Sequence, residues 1–413
     1  MTVRNVNLAG SASQVVVVTA AILAAQAIGG IILARSLGPA DRGILAALVL
    51  WAATASDIAN VGTPNTVSYW AASGTPRHGL RILRRALPWM AAVSLVLYFA
   101  IVLVSGRWDE LPLLGVLVMA AWAVGQLVHL PLQRYQQGSR NMSSFNGLRL
   151  IAELGPAIGY ATFAAVGLLS VATGAVSITG MMFAALAAGF VLARRSPHTA
   201  ESTSLLSEER RRFWSYSGRS WLSILAGRSN RTIDLLILTL LAVAAEDIGF
   251  YAVAVTSTGV IAVLGGSLGL DLFPKIAAIE EGGDGRPLLR KFIGVNAVFS
   301  LVAAVVFFVI ADWLIPFVYS NDFAPAVGPA RVLLFGVVAV SISQVAGQGL
   351  AGMGHPGQPA VAQVVGAVVT LVGVLSVGTR SLELVAIAAS SGFVVTTILM
   401  LVFTWRAAHR KYA

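Results

Sequence analysis

The chain has no cysteine, which excludes disulfides, iron–sulfur clusters and thiolate metal sites. Histidine is scarce, with five in 413 residues. No His-x-x-x-His or His-Glu-x-x-His spacing occurs, so the common helical zinc motifs are absent. Charge is scarce as well. Only 11% of residues are Asp, Glu, Lys or Arg, against about 25% in an ordinary soluble domain. No polar stretch is long enough to fold alone; the longest runs from 194 to 212. What fills the chain is apolar, 57% hydrophobic with a mean hydropathy of +0.81.

A helix needs about 20 mostly apolar residues to cross a ~30 Å hydrocarbon core. Runs of that kind lie at 15–34, 44–71, 86–105, 111–132, 147–166 and 168–193. A second six follow at 222–243, 248–273, 292–311, 326–351, 360–378 and 382–405. They predict an all-α integral membrane protein of about twelve transmembrane helices. The first run is read as a retained helix rather than a cleaved signal. Little remains for a soluble domain, so function is expected inside the bundle.

The net charge of +10 raises the question of nucleic acid, and its distribution answers against it. Most of the 28 Lys and Arg fall in alternate loops, with clusters at Arg77/Arg81/Arg84/Arg85, Arg134/Arg140, Arg210/Arg211/Arg212 and Arg406/Arg410/Lys411. That alternation is the orientation signal of a multi-pass membrane protein. It places both termini in the cytoplasm, in a bacterial cytoplasmic membrane. The opposite loops carry acids: Asp109/Glu110, Glu246/Asp247 and Asp322. Phe213, Trp214, Trp221 and Trp405 are read as interfacial anchors, and the basic face should attract anionic headgroups.

Six runs lie on each side of the polar stretch, which suggests two related halves. The expected organisation is a six-helix lobe over 1–197, a cytoplasmic linker over 198–212 and a second six-helix lobe over 213–413. Ser207 can cap a helix whose first turn holds Glu208 and Glu209. Aligning Gly43 with Gly249 also aligns Asp41 with Asp247 and Ala46 with Ala252. Six spans per half is an even number, so the halves would be parallel repeats rocking around a central cavity.

Three motifs carry a family resemblance. They are Leu37-Gly38-Pro39 with Arg42-Gly43 after the first run, Asp234 with Gly249-x-Tyr251-x-x-Ala254, and Gly352-x-Gly354-His355-Pro356. With the 6+6 layout they resemble polysaccharide flippases of the multidrug/oligosaccharidyl-lipid/polysaccharide exporter superfamily. The resemblance implies transport of lipid-linked oligosaccharides from the inner to the outer leaflet. The lipid II branch of that family usually carries fourteen spans and an early basic cluster. Here there are twelve runs, and 15–34 is uncharged.

Ionisable groups inside the runs are the candidate site, because each costs roughly 2.5–3.5 kcal/mol at mid-bilayer unless it pairs or lines a polar cavity. Arg149 and Glu153 are four residues apart in the fifth run. They form either a local ion pair or a phosphate grip with a cation-binding carboxylate. Pro156 favours the second reading, since it should kink the helix and free carbonyls at 152–155. In the seventh run Arg228, Arg231 and Asp234 are spaced by three and read as one stripe. Either the arginines snorkel to water or they capture an anionic head. Asp57 sits in the second run near Asn60 and a Gly62/Pro64 kink. Asp271 and Lys275 read as an interfacial pair. The substrate-binding set is therefore Arg149, Arg228 and Arg231, and the cation-coupling set Asp57, Glu153 and Asp234.

The function expected is a flippase for polyprenyl-diphosphate-linked oligosaccharide, working by alternating access without covalent chemistry. A proton or sodium gradient would drive it, with no other cofactor. Expected partners are the lipid-linked glycan, membrane lipids and polysaccharide biosynthesis enzymes, with no nucleic acid. Two alternatives stay open. One is a cation-coupled drug or metabolite antiporter of the same superfamily. The other is an integral membrane glycan polymerase or glycosyltransferase, a class that generally needs a large outer loop or soluble domain.

Overall fold

The computed structural model describes residues 8–73, 76–139, 141–195, 207–241, 243–277, 284–353, 355, 357–378 and 380–412. Among these there is no strand. The helices are α1 (Leu8–Ala59), α2 (Thr63–Ala72), α3 (Pro76–Val104), α4 (Leu113–Gly138), α5 (Met142–Arg149), α6 (Gly155–Ala165) and α7 (Val171–Arg195). They continue with α8 (Ser207–Leu240), α9 (Ala245–Ala277), α10 (Arg286–Val318), α11 (Val327–Gly352), α12 (Gln358–Val377) and α13 (Leu382–Tyr412). Every apolar run of the sequence falls on one or more of them.

Nine helical stretches among the described residues are long and apolar enough to cross a membrane. The first, Val17–Ala59, is 43 residues. At a rise of about 1.5 Å per residue it is roughly 65 Å long, which is two crossings rather than one. Gly38 divides it, with φ 74° and ψ 178°. Glycine adopts that conformation readily, and Pro39 behind it has no amide N–H for a helical bond. Two expected spans miss the criterion for identifiable reasons. The 147–166 run is interrupted by a π-helical turn, Leu150–Leu154, between α5 and α6. The 222–243 run belongs to α8, where Arg228, Arg231 and Asp234 lower the hydropathy.

The chain forms two compact units. One comprises Met1–Gly38 and Ala47–Trp221, the other Pro39–Ala46 and Leu222–Ala413. The division thus falls inside α8. Of the expected linker, 198–206 lie outside the described residues, and 207–212 are the first turns of α8. The reason is local. Ser217 Oγ donates to the Val61 carbonyl at 2.7 Å, and Trp221 Nε1 donates to the Asp57 carbonyl at 3.1 Å. Phe213 packs edge-on to Trp70 and is fully buried. These contacts tie the start of α8 to the first unit, and they make Phe213 a core residue, not the interfacial anchor its position suggested.

Within the first unit α4 is the hub, packed by α2, α3, α5 and α7. Met119, Ala123 and Leu127 recur every four residues on its buried face. In the second unit α11 plays the same part, packed by α9, α10 and α13. Glycine permits the closest approaches there. A Cβ at Gly366 would lie 2.7 Å from the Gly392 carbonyl oxygen, and one at Gly392 would lie 2.6 Å from that of Gly366. This reciprocal contact holds α12 on α13, in the small-residue packing mode of membrane helices. A second reciprocal pair explains residues 39–46. A Cβ at Gly43 would run into the Ala245 carbonyl, and one at Gly249 into the Pro39 carbonyl. The two glycines aligned in the sequence therefore abut each other's segments, the pattern a local two-fold relation produces.

Candidate functional site

Pro156 organises the charged residues of the first unit. It stands near the start of α6 and supplies no N–H to the helical ladder. The backbone before it widens into the π-helical turn Leu150–Leu154, as such turns do where regular bonding is interrupted. Arg149 ends α5 and Glu153 lies in the turn. Arg149 Nε is 3.5 Å from Glu153 Oε1. Its Nη1 donates to Thr19 Oγ1 of α1 at 3.4 Å, and its guanidinium lies 5.7 Å from the Phe145 ring centre. Both polar contacts are long beside the 2.7–2.9 Å of a strong charge-assisted hydrogen bond. A second guanidinium joins them. Arg134, in the last turns of α4, donates to Gln137 at 2.7 Å and feels the charges of both Arg149 and Glu153. The cluster thus holds two arginines and one carboxylate.

Asp57 is buried near the end of the helical rod α1. The expected break follows it. Val61 and Gly62 take φ of 48° and 73°, Asn60 Oδ1 accepts from the Gly62 N–H at 2.8 Å, and α2 starts at Thr63. Two side chains at the beginning of α8 take up carbonyls around this break, as described above.

In the second unit the stripe on α8 comes apart. Residues six apart on an α-helix are rotated by about 240°. Arg228 and Arg231 are exposed and close enough to repel, whereas Asp234 is buried. Tyr251 Oη of α9 donates to Asp234 Oδ2 at 2.5 Å. Between these positions Asn230 turns a third way. Its Nδ2 reaches Gln363 Oε1 at 2.7 Å and Thr396 Oγ1 at 3.0 Å, joining α8 to α12 and α13.

The geometry brings Arg149 and Glu153 together and places Arg228 beside Arg231. The three candidate cation carriers stand on different elements: Asp57 on α1, Glu153 in the π-turn and Asp234 on α8. No group of three or more His, Asp or Glu able to hold a metal occurs among the described residues. The side chain of Asp271 and residues 354 and 356 of the third motif lie outside the described residues. Arg134 and Tyr251 escaped the sequence reading. Arg134 was assigned to a loop, yet the helical pattern runs on through Pro131 to Gly138. Tyr251 belonged to a motif, and its spacing from Asp234 across a helix–helix turn gave no sign of the contact.

No protein-family model matches the sequence, and no curated protein sequence matches it significantly. Solved structures do resemble it along nearly its whole length. An inward-facing multidrug resistance MATE family transporter of the MOP superfamily aligns at TM-score 0.70 and 14% identity, over 95% of this chain and 96% of that one. The lipid II flippase MurJ, in an inward closed conformation, aligns at 0.65 and 10% identity, over 96% and 89%. The Vibrio cholerae MATE transporter VcmN aligns at 0.59 and 15%, over 98% of each chain. The chain has the MOP transporter fold. Within its apolar runs the arginines are Arg149, Arg228, Arg231 and Arg331 and the acids Asp57, Glu153, Asp234, Asp271 and Glu383, with Arg134 just beyond the fourth run. Glu153 is engaged by Arg149 and Asp234 by Tyr251.

Proposed function

We propose that this protein is a membrane transporter that flips a polyprenyl-diphosphate-linked oligosaccharide from the inner to the outer leaflet by alternating access. The gathering of guanidiniums carries this reading: Arg228 stands close enough to Arg231 to repel it, and Arg134 feels the charge of Arg149. A diphosphate brings the matching charge, and the planar fork of arginine binds it bidentately while staying charged away from bulk water. The polyprenyl tail would remain in the bilayer while the sugar–diphosphate head crosses, and no covalent chemistry is needed. Asp57, Glu153 and Asp234 are the proposed carriers of a coupling proton or sodium ion. The basic loops favour a bacterial cytoplasmic membrane with both termini inside. Enzymes that build the glycan are the proposed neighbours.

The likeness to MATE transporters favours a second reading, antiport of an organic cation. A cation site needs exposed carboxylate or aromatic surface, whereas Asp57 and Asp234 are buried and Glu153 lies 3.5 Å from Arg149. Proteoliposomes containing the purified protein decide between the two. The flippase reading expects a lipid-linked diphosphate oligosaccharide to become accessible outside, with the rate lost in the R228A/R231A variant. Undiminished flipping in that variant, or efflux of organic cations alone, would refute it.

A further inference from the structure

In the second unit, α10 and α13 both pack on α11. Their shared support is a buried cluster that includes Leu289, Val345, Leu350, Met400 and Ala407. Between the two helices lies a groove of about 540 Å³, well within the range of small-molecule sites. Leu289, Ile293, Leu401 and Val402 form its apolar walls. Gly294 also lines it, and a Cβ there would meet nothing within 4 Å. The missing side chain is therefore open space, not close packing.

One end of this groove is cationic. Arg290, near the start of α10, and Arg406, near the end of α13, both line it and are both exposed. The Arg290 guanidinium lies 4.9 Å from the Trp405 ring centre. Stacking on the ring occupies the face of the guanidinium and leaves its N–H edge free to donate. None of the described lining residues is acidic. The polar lining residue Thr404 is buried, with its hydroxyl directed to the Ala346 carbonyl at 3.4 Å. An apolar slot with two arginines and an interfacial tryptophan at one end matches one occupant, a lipid whose chain fills the slot and whose headgroup is anionic.

We propose that the α10–α13 groove holds an anionic glycerophospholipid, its acyl chain along Leu289, Ile293 and Val402 and its phosphate on Arg290 and Arg406. The site lies wholly in the second unit. It shares no residue with the transport arginines and does not depend on the substrate being a glycolipid.

Native mass spectrometry of the full-length protein, exchanged with dioleoyl-phosphatidylglycerol or dioleoyl-phosphatidylcholine, tests it. The wild-type protein is expected to retain phosphatidylglycerol in preference, by about fivefold for each arginine. R290Q/R406Q should bring the two lipids to parity. G294L should weaken phosphatidylglycerol about tenfold by displacing a few methylenes from the slot. Quenching of Trp405 by brominated lipid in wild-type protein, with W405F as the blank, gives a readout that needs no charge variant. Brominated phosphatidylglycerol should quench more than brominated phosphatidylcholine. Equal quenching, or an undiminished preference in R290Q/R406Q, would overturn the proposal. So would tight binding of inorganic phosphate alone that G294L leaves unchanged.

Discussion

Arg149 is held loosely for a charged side chain in an apolar helix. Its ion pair with Glu153 spans 3.5 Å and its hydrogen bond to Thr19 spans 3.4 Å. Contacts of that length are readily exchanged for a phosphate oxygen. Hydrogen bonds to a charged partner contribute about 1.5–3 kcal/mol. Arg149→Ala should therefore slow glycolipid flipping by roughly 10- to 100-fold. Arg149→Lys keeps the charge but not the fork, so only part of the rate should return. Initial rates in proteoliposomes check both, and a wild-type rate in Arg149→Ala would remove this side chain from the site. Asp234 makes the opposite case. Its carboxylate is buried and bonded at 2.5 Å to Tyr251. Tyr251→Phe takes away the donor at nearly constant volume and should destabilise the protein by about 1–3 kcal/mol. Thermal unfolding in detergent reads this, and an unchanged midpoint would mean that the bond contributes nothing to stability.

The π-helical turn before Pro156 is the element that sets Arg149 against Glu153. Replacing the proline restores an amide N–H and removes a ring that opposes regular helix. Pro156→Ala should raise the unfolding temperature and lower the flipping rate, a trade between stability and activity. Transport at the parental rate would show that the turn is incidental. The reciprocal glycines act by packing instead. A methyl at Gly43 or Gly249 meets backbone oxygen, which cannot rotate away. Each Gly→Ala change should destabilise by about 1–3 kcal/mol, and the thermal midpoint should fall in both. The helices themselves were legible because a bilayer imposes a length on each apolar run. Pro156 announced the disturbance at 150–154 but not its π geometry, which depends on how α5 and α6 meet around it. The stripe on α8 was misread because spacing by three looks regular in sequence while the helix turns past it. Its three polar directions, Arg228/Arg231, Asn230 and Asp234, are set by neighbours far along the chain. The unit boundary was invisible for a similar reason: Ser217 and Trp221 fall between the polar stretch and the seventh run, and only their bonds to Val61 and Asp57 place them.

Across the whole molecule the charges follow two patterns. Loop arginines alternate along the chain and predict orientation. A reporter fused after Ala413 should fluoresce as a cytoplasmic protein and lack activity as a periplasmic phosphatase; the reverse result would invert the assignment. Arginines within the helices predict the sign of the cargo. Those of the candidate site lie in both compact units, Arg134 and Arg149 in one, Arg228 and Arg231 in the other. The central claim is that these groups receive a diphosphate. The most direct test is the affinity of the purified protein for a lipid-linked diphosphate oligosaccharide, compared with the same glycolipid lacking its phosphates. The account predicts that the diphosphate form binds at least about tenfold more tightly, and that the difference disappears in the R149A/R228A/R231A variant. Equal affinity for the two forms, or a preference that survives the triple substitution, would contradict it.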